Sequence, residues 1–146
     1  MTSWPSRPRI VYFLFACALA APCPGCGRPG PPTGEVAGKV TFRGAPVEEG
    51  TVTLYNAETG FTAEASLGAG GTFGGQGPWQ AVPVGTYRVT VTPPMYLDSS
   101  DPKTPPVMME KKVRNIPELY RRDGTTPLTA EVKEGKNELT FDLVPG

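Results

Sequence analysis

Histidine is absent from the 146 residues. That removes the commonest general base, any Ser-His-Asp triad and most transition-metal sites. Cysteine is scarce, and Cys17, Cys23 and Cys26 all precede the globular part. A disulfide or a thiol nucleophile within the domain is therefore excluded. Cys23 and Cys26 form a Cys-Pro-Gly-Cys pair, but without a second pair or a histidine one chain cannot complete a four-ligand zinc site. Net charge is also missing, with 14 Lys+Arg against 14 Asp+Glu. Lys111-Lys112 and Arg121-Arg122 are doublets rather than a basic patch, so nucleic acid is not an expected partner. No cofactor is implied.

The longest apolar run, Ile10 to Ala21, is too short to span a bilayer comfortably. It follows Arg7 and Arg9 and precedes the small-x-small sequence Ala18-Leu19-Ala20. This order predicts a signal peptide over residues 1–22, with cleavage after Ala20. A lipoprotein signal is the alternative. "CPGCG" resembles the Gly-Cys-Gly ends of such signals and makes Cys26 the acylated residue, although Cys23 stands where an aliphatic residue is expected. "LFAC" offers Cys17 in the same role with a shorter apolar run. Either route predicts an exported protein, periplasmic or on the outer cell envelope, lipid-anchored in the membrane or otherwise secreted. Residues 23–34, rich in Pro and Gly, read as a spacer.

From Glu35 the apolar residues alternate. Val36, Gly38, Val40 and Phe42 share one face, as do Val52 with Leu54, and Tyr87 with Val89 and Val91. Leu128, Ala130 and Val132 form another such set, and so do Leu139, Phe141 and Leu143. One apolar face per strand predicts antiparallel sheets on a common core. Weaker strands are expected over 61–67, 71–74 and 107–113. Arg43-Gly44-Ala45-Pro46, Glu58-Thr59-Gly60 and Glu134-Gly135-Lys136-Asn137 supply turns, the last of them between the final two strands. The expected fold is all-β: a single antiparallel β-sandwich of about seven strands over 35–146. Residues 93–127, carrying seven prolines, form a long insertion of the kind that is usually functional or disordered.

Two segments carry a resemblance. "GKVTFRGAPVEEGTVTLYNAETG" is similar to the opening of carboxypeptidase regulatory-like domains, of the transthyretin-like (Ig-like) sandwich type, through Gly38-x-Val40, Gly44-x-Pro46-Val47 and Gly50-x-Val52. "VPVGTYRVTV" resembles their later Pro-x-Gly-x-Tyr strand. "NIPELYRRDGTTPLTAEVKEGKNELTFDL" resembles the C-terminal signature of small exported planctomycete proteins that carry this domain. "GAGGTF" departs from the Asp-rich turn usual before the central Phe, and Arg122 to Thr126 departs from the usual Asp-Pro-x-Thr-Ser. The resemblance implies an exported accessory module and brings no catalytic residues.

Little else suggests chemistry. Glu48-Glu49, Asp98 with Asp101, and Glu131 with Asp142 are the carboxylate pairs, and nothing in their spacing sets two across a cleft as glycoside hydrolysis needs. Asp98-Ser99-Ser100-Asp101 lacks the spacing of a calcium loop. Leu67 to Gly77 lacks the Lys-Ser/Thr of a phosphate loop and reads as a flexible loop. Trp79, Tyr96 and Tyr120, with Tyr55 and Phe61, are candidates for stacking on a sugar ring, against the plainer reading of core packing. Tyr120 with Arg121, Arg122 and Asp123 is either an anion- or protein-recognition cluster, or a strap. In the strap reading Ile116 and Tyr120 dock on the sandwich while both arginines face water. The sequence thus predicts a non-catalytic envelope or surface module that binds an envelope protein or a glycan, with carbohydrate binding as the alternative.

Overall fold

The computed structural model describes residues 30–146, so the export segment and all three cysteines lie outside the described residues. Eleven strands follow in order: β1 (Thr33–Phe42), β2 (Ala45–Pro46), β3 (Thr51–Tyr55), β4 (Thr62–Ser66), β5 (Thr72–Gly74), β6 (Val82–Pro83), β7 (Gly85–Thr92), β8 (Met95–Asp98), β9 (Val107–Glu110), β10 (Thr129–Val132) and β11 (Gly135–Leu143). One sheet has β1 at its centre, with β11 on one side and β2, β5 and β6 along the other. The second runs β10-β7-β3-β4. β8 and β9 form a separate two-stranded ribbon.

The alternating side chains meet between the two large sheets. Val36, Val40, Val52, Leu54, Tyr87, Val89, Val91, Val132 and Leu143 are fully buried. Burying each contributes roughly 1.5–3 kcal/mol of hydrophobic stabilisation. Gly38 stays small because Phe73 lies over it: an added Cβ would sit 2.5 Å from the Phe73 ring and 2.3 Å from the Leu139 carbonyl oxygen.

The domain begins earlier than the composition suggests. Thr33 and Gly34 pair with Pro83 and Val82, so these two spacer residues belong to the sheet. One pairing also departs from the antiparallel pattern. β11 lies parallel to β1, from Gly34↔Gly135 to Phe42↔Leu143. The turn after β10 is therefore not a hairpin. Gly135, at φ 87°, steers the chain out of one sheet and into the other. The Asn137 side chain closes this crossing by accepting from Lys133 N at 3.0 Å and donating to the Lys133 and Glu35 carbonyls.

The Leu67–Gly77 segment is not a free loop. It contains a 3-10 turn at Ala69–Gly71 and then β5, and Gly70 N donates to Glu48 Oε1 at 2.9 Å. Asp142 clips the β1–β2 turn to β11 by accepting from Thr41 Oγ1 at 2.7 Å and Gly44 N at 3.2 Å. These bonds hold its pKa below the ordinary carboxylate value. A lowered folded pKa stabilises above the unfolded value and loses that contribution as pH falls through the folded one. Asp142→Asn should therefore melt lower than the parent at pH 7. The gap should narrow in melting curves as the pH falls below the ordinary carboxylate range and close once it passes the lowered folded pKa.

Candidate functional site

Residues 93–127 leave the sandwich at Thr92, form the ribbon, and return as a strap. The strap is pinned along its length. Ile116 and Tyr120 are buried, and Tyr120 sits in a 3-10 turn, Glu118–Tyr120. Its hydroxyl accepts from Val144 N at 3.1 Å, which ties the strap to the end of β11. Thr126 Oγ1 donates to Val89 O at 2.7 Å, and Arg88 Nη1 to Asp123 O at 2.6 Å. Arg121 does not face water as the strap reading expects. Its Nε and Nη2 donate to Ile116 O at 3.0 and 2.7 Å, and its Nη1 pairs with Glu110 Oε1 at 2.7 Å. Arg122 is exposed.

The ring candidates separate. Trp79 is 2% exposed and packs edge-on against Phe73, with centroids 5.4 Å apart. Its Nε1 donates to Glu64 O at 2.9 Å. Tyr120 is equally buried. Neither ring offers a face to a ligand, because both fill the core. Tyr55 and Phe61 are partly buried, Phe61 edge-on to Tyr87 at 6.1 Å. Tyr96 alone of the three is open, at 48%. A single ring is no stacking platform.

The carboxylates are used locally. Asp98 accepts from Ser100 N and Asp101 from Lys103 N, each closing a short turn. The bond from Ser100 lowers the Asp98 pKa. Glu49 pairs with Lys111, and Glu131 lies 3.9 Å from Lys133. Burial pushes the Tyr87 pKa up, against a smaller lowering from Asn56, and its hydroxyl donates to Pro83 O at 2.6 Å. Among the described residues, no group of three His, Cys, Asp or Glu could hold a metal ion.

Nine large apolar side chains are exposed among the described residues, and six belong to the ribbon: Met95, Tyr96, Leu97, Val107, Met108 and Met109. The register puts Met95, Leu97 and Met108 on one face, and Tyr96, Val107 and Met109 on the other. Both faces are bare. Beside the ribbon, Met95, Pro93, Glu110, Glu118, Arg121 and Arg122 wall a cleft of about 340 Å³. Glu118 and Arg122 also line the next hollow, with Leu119. Leu119 and Val144, both exposed, flank Tyr120. Eight of the nine therefore share one end of the sandwich. The ninth, Val84, lies beside Pro83 at the other end, where the chain enters at Thr33. β1 separates the two ends by roughly 30 Å.

Against this geometry stand the comparisons. No protein-family model, curated protein or solved structure matches the chain.

Proposed function

We propose that the protein is a non-catalytic, exported β-sandwich module of the carboxypeptidase regulatory-like type, which docks a protein partner through the end farthest from its own N-terminal tether. The polarised surface carries this reading. Eight exposed apolar side chains gather at one end, and the spacer joins at the other. So many exposed apolar side chains at one end are unusual on a monomer and favour an interaction site. A two-stranded ribbon open on both faces is also marginal in water until something covers it.

The local engagement of Glu49, Asp98, Asp101 and Asp142 and the missing histidine argue for a binding role over catalysis. Protein is favoured over glycan because Trp79 and Tyr120 are closed off. Attachment at Cys26 would leave about seven residues of spacer before β1, enough to stand the domain off a bilayer by roughly 20 Å. The docking end would then point away from that bilayer.

Two measurements test this. Globomycin should make the uncleaved precursor accumulate, and Cys26→Ser should abolish acylation, so that a chain cleaved after Ala20 leaves the membrane fraction; unchanged processing and retention in both refute the tether. For docking, a benzoylphenylalanine at Leu97, on the ribbon face that walls the cleft, should photo-crosslink to protein in the exported chain, while the same probe at Val84 should not. A Leu97 probe without adducts refutes docking.

A further inference from the structure

The docking end is self-complementary, and we infer that its occupant is a second copy of this chain, related by a twofold axis. The inference rests on the docking reading above and supplies the partner.

Charge is the first argument. Arg121 and Glu110 satisfy each other within the chain. Glu118 and Arg122, four residues apart on the same wall of the cleft, take part through their side chains in no hydrogen bond or ion pair among the described residues. They are opposite in sign. On a twofold axis the same patch meets itself, so residue i faces residue j and j faces i. Arg122 of one copy then meets Glu118 of the other, and the reciprocal pair forms automatically. A strongly acidic or strongly basic partner would leave one of the two facing a like charge.

Area is the second. Met95, Leu97 and Met108, on the ribbon face that walls the cleft, together with Leu119 and Val144, expose on the order of 500 Å² per copy. A twofold contact through this face buries that area twice, about the 1,000 Å² in total that a specific interface needs. A lipid surface fits less well. The ribbon's apolar residues lie mid-length, and its tip, Asp98 to Lys103, carries two aspartates and a lysine. Insertion would drag these charges out of water.

The photo-adduct at Leu97 decides between occupants. A mass of twice the chain supports the second copy. An adduct with any other protein overturns it and leaves the docking reading standing. No adduct overturns both. Sedimentation of the exported Cys26→Ser chain gives the independent test. The expected species is a dimer that Met108→Lys converts to monomer. Arg122→Glu or Glu118→Arg alone should weaken it about tenfold or more, through like charges across the axis. The double exchange E118R/R122E should restore it. A parent chain that stays monomeric at all concentrations, or a double exchange no tighter than the single ones, overturns the twofold pairing.

Discussion

Replacing Trp79 by alanine should cost the domain about 4 kcal/mol, among the largest losses a single side chain here can produce. The ring closes the open side of the sandwich. It is presented by a 3-10 turn, Gly77–Gln80, with Pro78 in its first turn, and packs against Phe73, which stacks on Phe141 at 6.0 Å. Its indole N–H also reaches across to Glu64 O on β4. The side chain thus joins the edge strand of one sheet to the aromatic layer of the other. Alanine would leave a void where the indole stood between the two sheets. Trp79→Phe keeps most of the ring and loses the bond to Glu64, a loss of about 1 kcal/mol. Trp79 is the only tryptophan in residues 30–146, so its emission in a denaturant titration reports its own environment. The parent should emit as a buried indole, and saccharides should leave the spectrum unchanged. A solvent-exposed spectrum in the native protein would contradict the packing.

Tyr120→Ala should lower stability by about 3 kcal/mol, or on the order of 15 °C in melting temperature. Here the ring and the hydroxyl act differently. The ring seats the strap beside Ile116, and the hydroxyl fixes the chain just beyond β11 through Val144 N. Tyr120→Phe should therefore cost only about 1 kcal/mol. An alanine variant that melts like the parent would show that the strap does not hold the sandwich. Because the strap walls the cleft beside the ribbon, Tyr120→Ala should also loosen Glu118 and Arg122. Tyr120→Phe should leave them in place, which separates a stability effect from a docking effect.

The sandwich was legible wherever a strand shows one face to the core. β3 and β7 occupy the residues that alternation marks, because Val52 and Leu54, and Tyr87, Val89 and Val91, have nowhere else to go. β8 was not legible. Both its faces meet solvent, so Met95, Tyr96 and Leu97 follow no period, and the preceding Pro93-Pro94 reads as a break. The parallel placement of β11 was equally hidden, since inward alternation is the same whichever neighbour a strand takes. The strap could be read in outline from Ile116 and Tyr120. Arg121 could not, because Glu110, its partner, stands eleven residues away across an insertion of unknown shape. A signal for the exposed apolar end was nevertheless present. Every methionine after Met1 falls within 95–109, in a proline-rich stretch whose one expected strand, over 107–113, is an edge strand with no apolar face to bury them.

The parallel pairing of β1 and β11 has a mechanical consequence. Their nine paired positions run side by side from Gly34 to Phe42, and the chain enters at one end of this ladder and leaves at the other. A pull between the two termini would load all the rungs together in shear, instead of opening them one after another like a zip. A module held at its N-terminus and gripped at its far end would be stretched along that axis. The first and last strands, distant in sequence, would act as the clamp that resists extension.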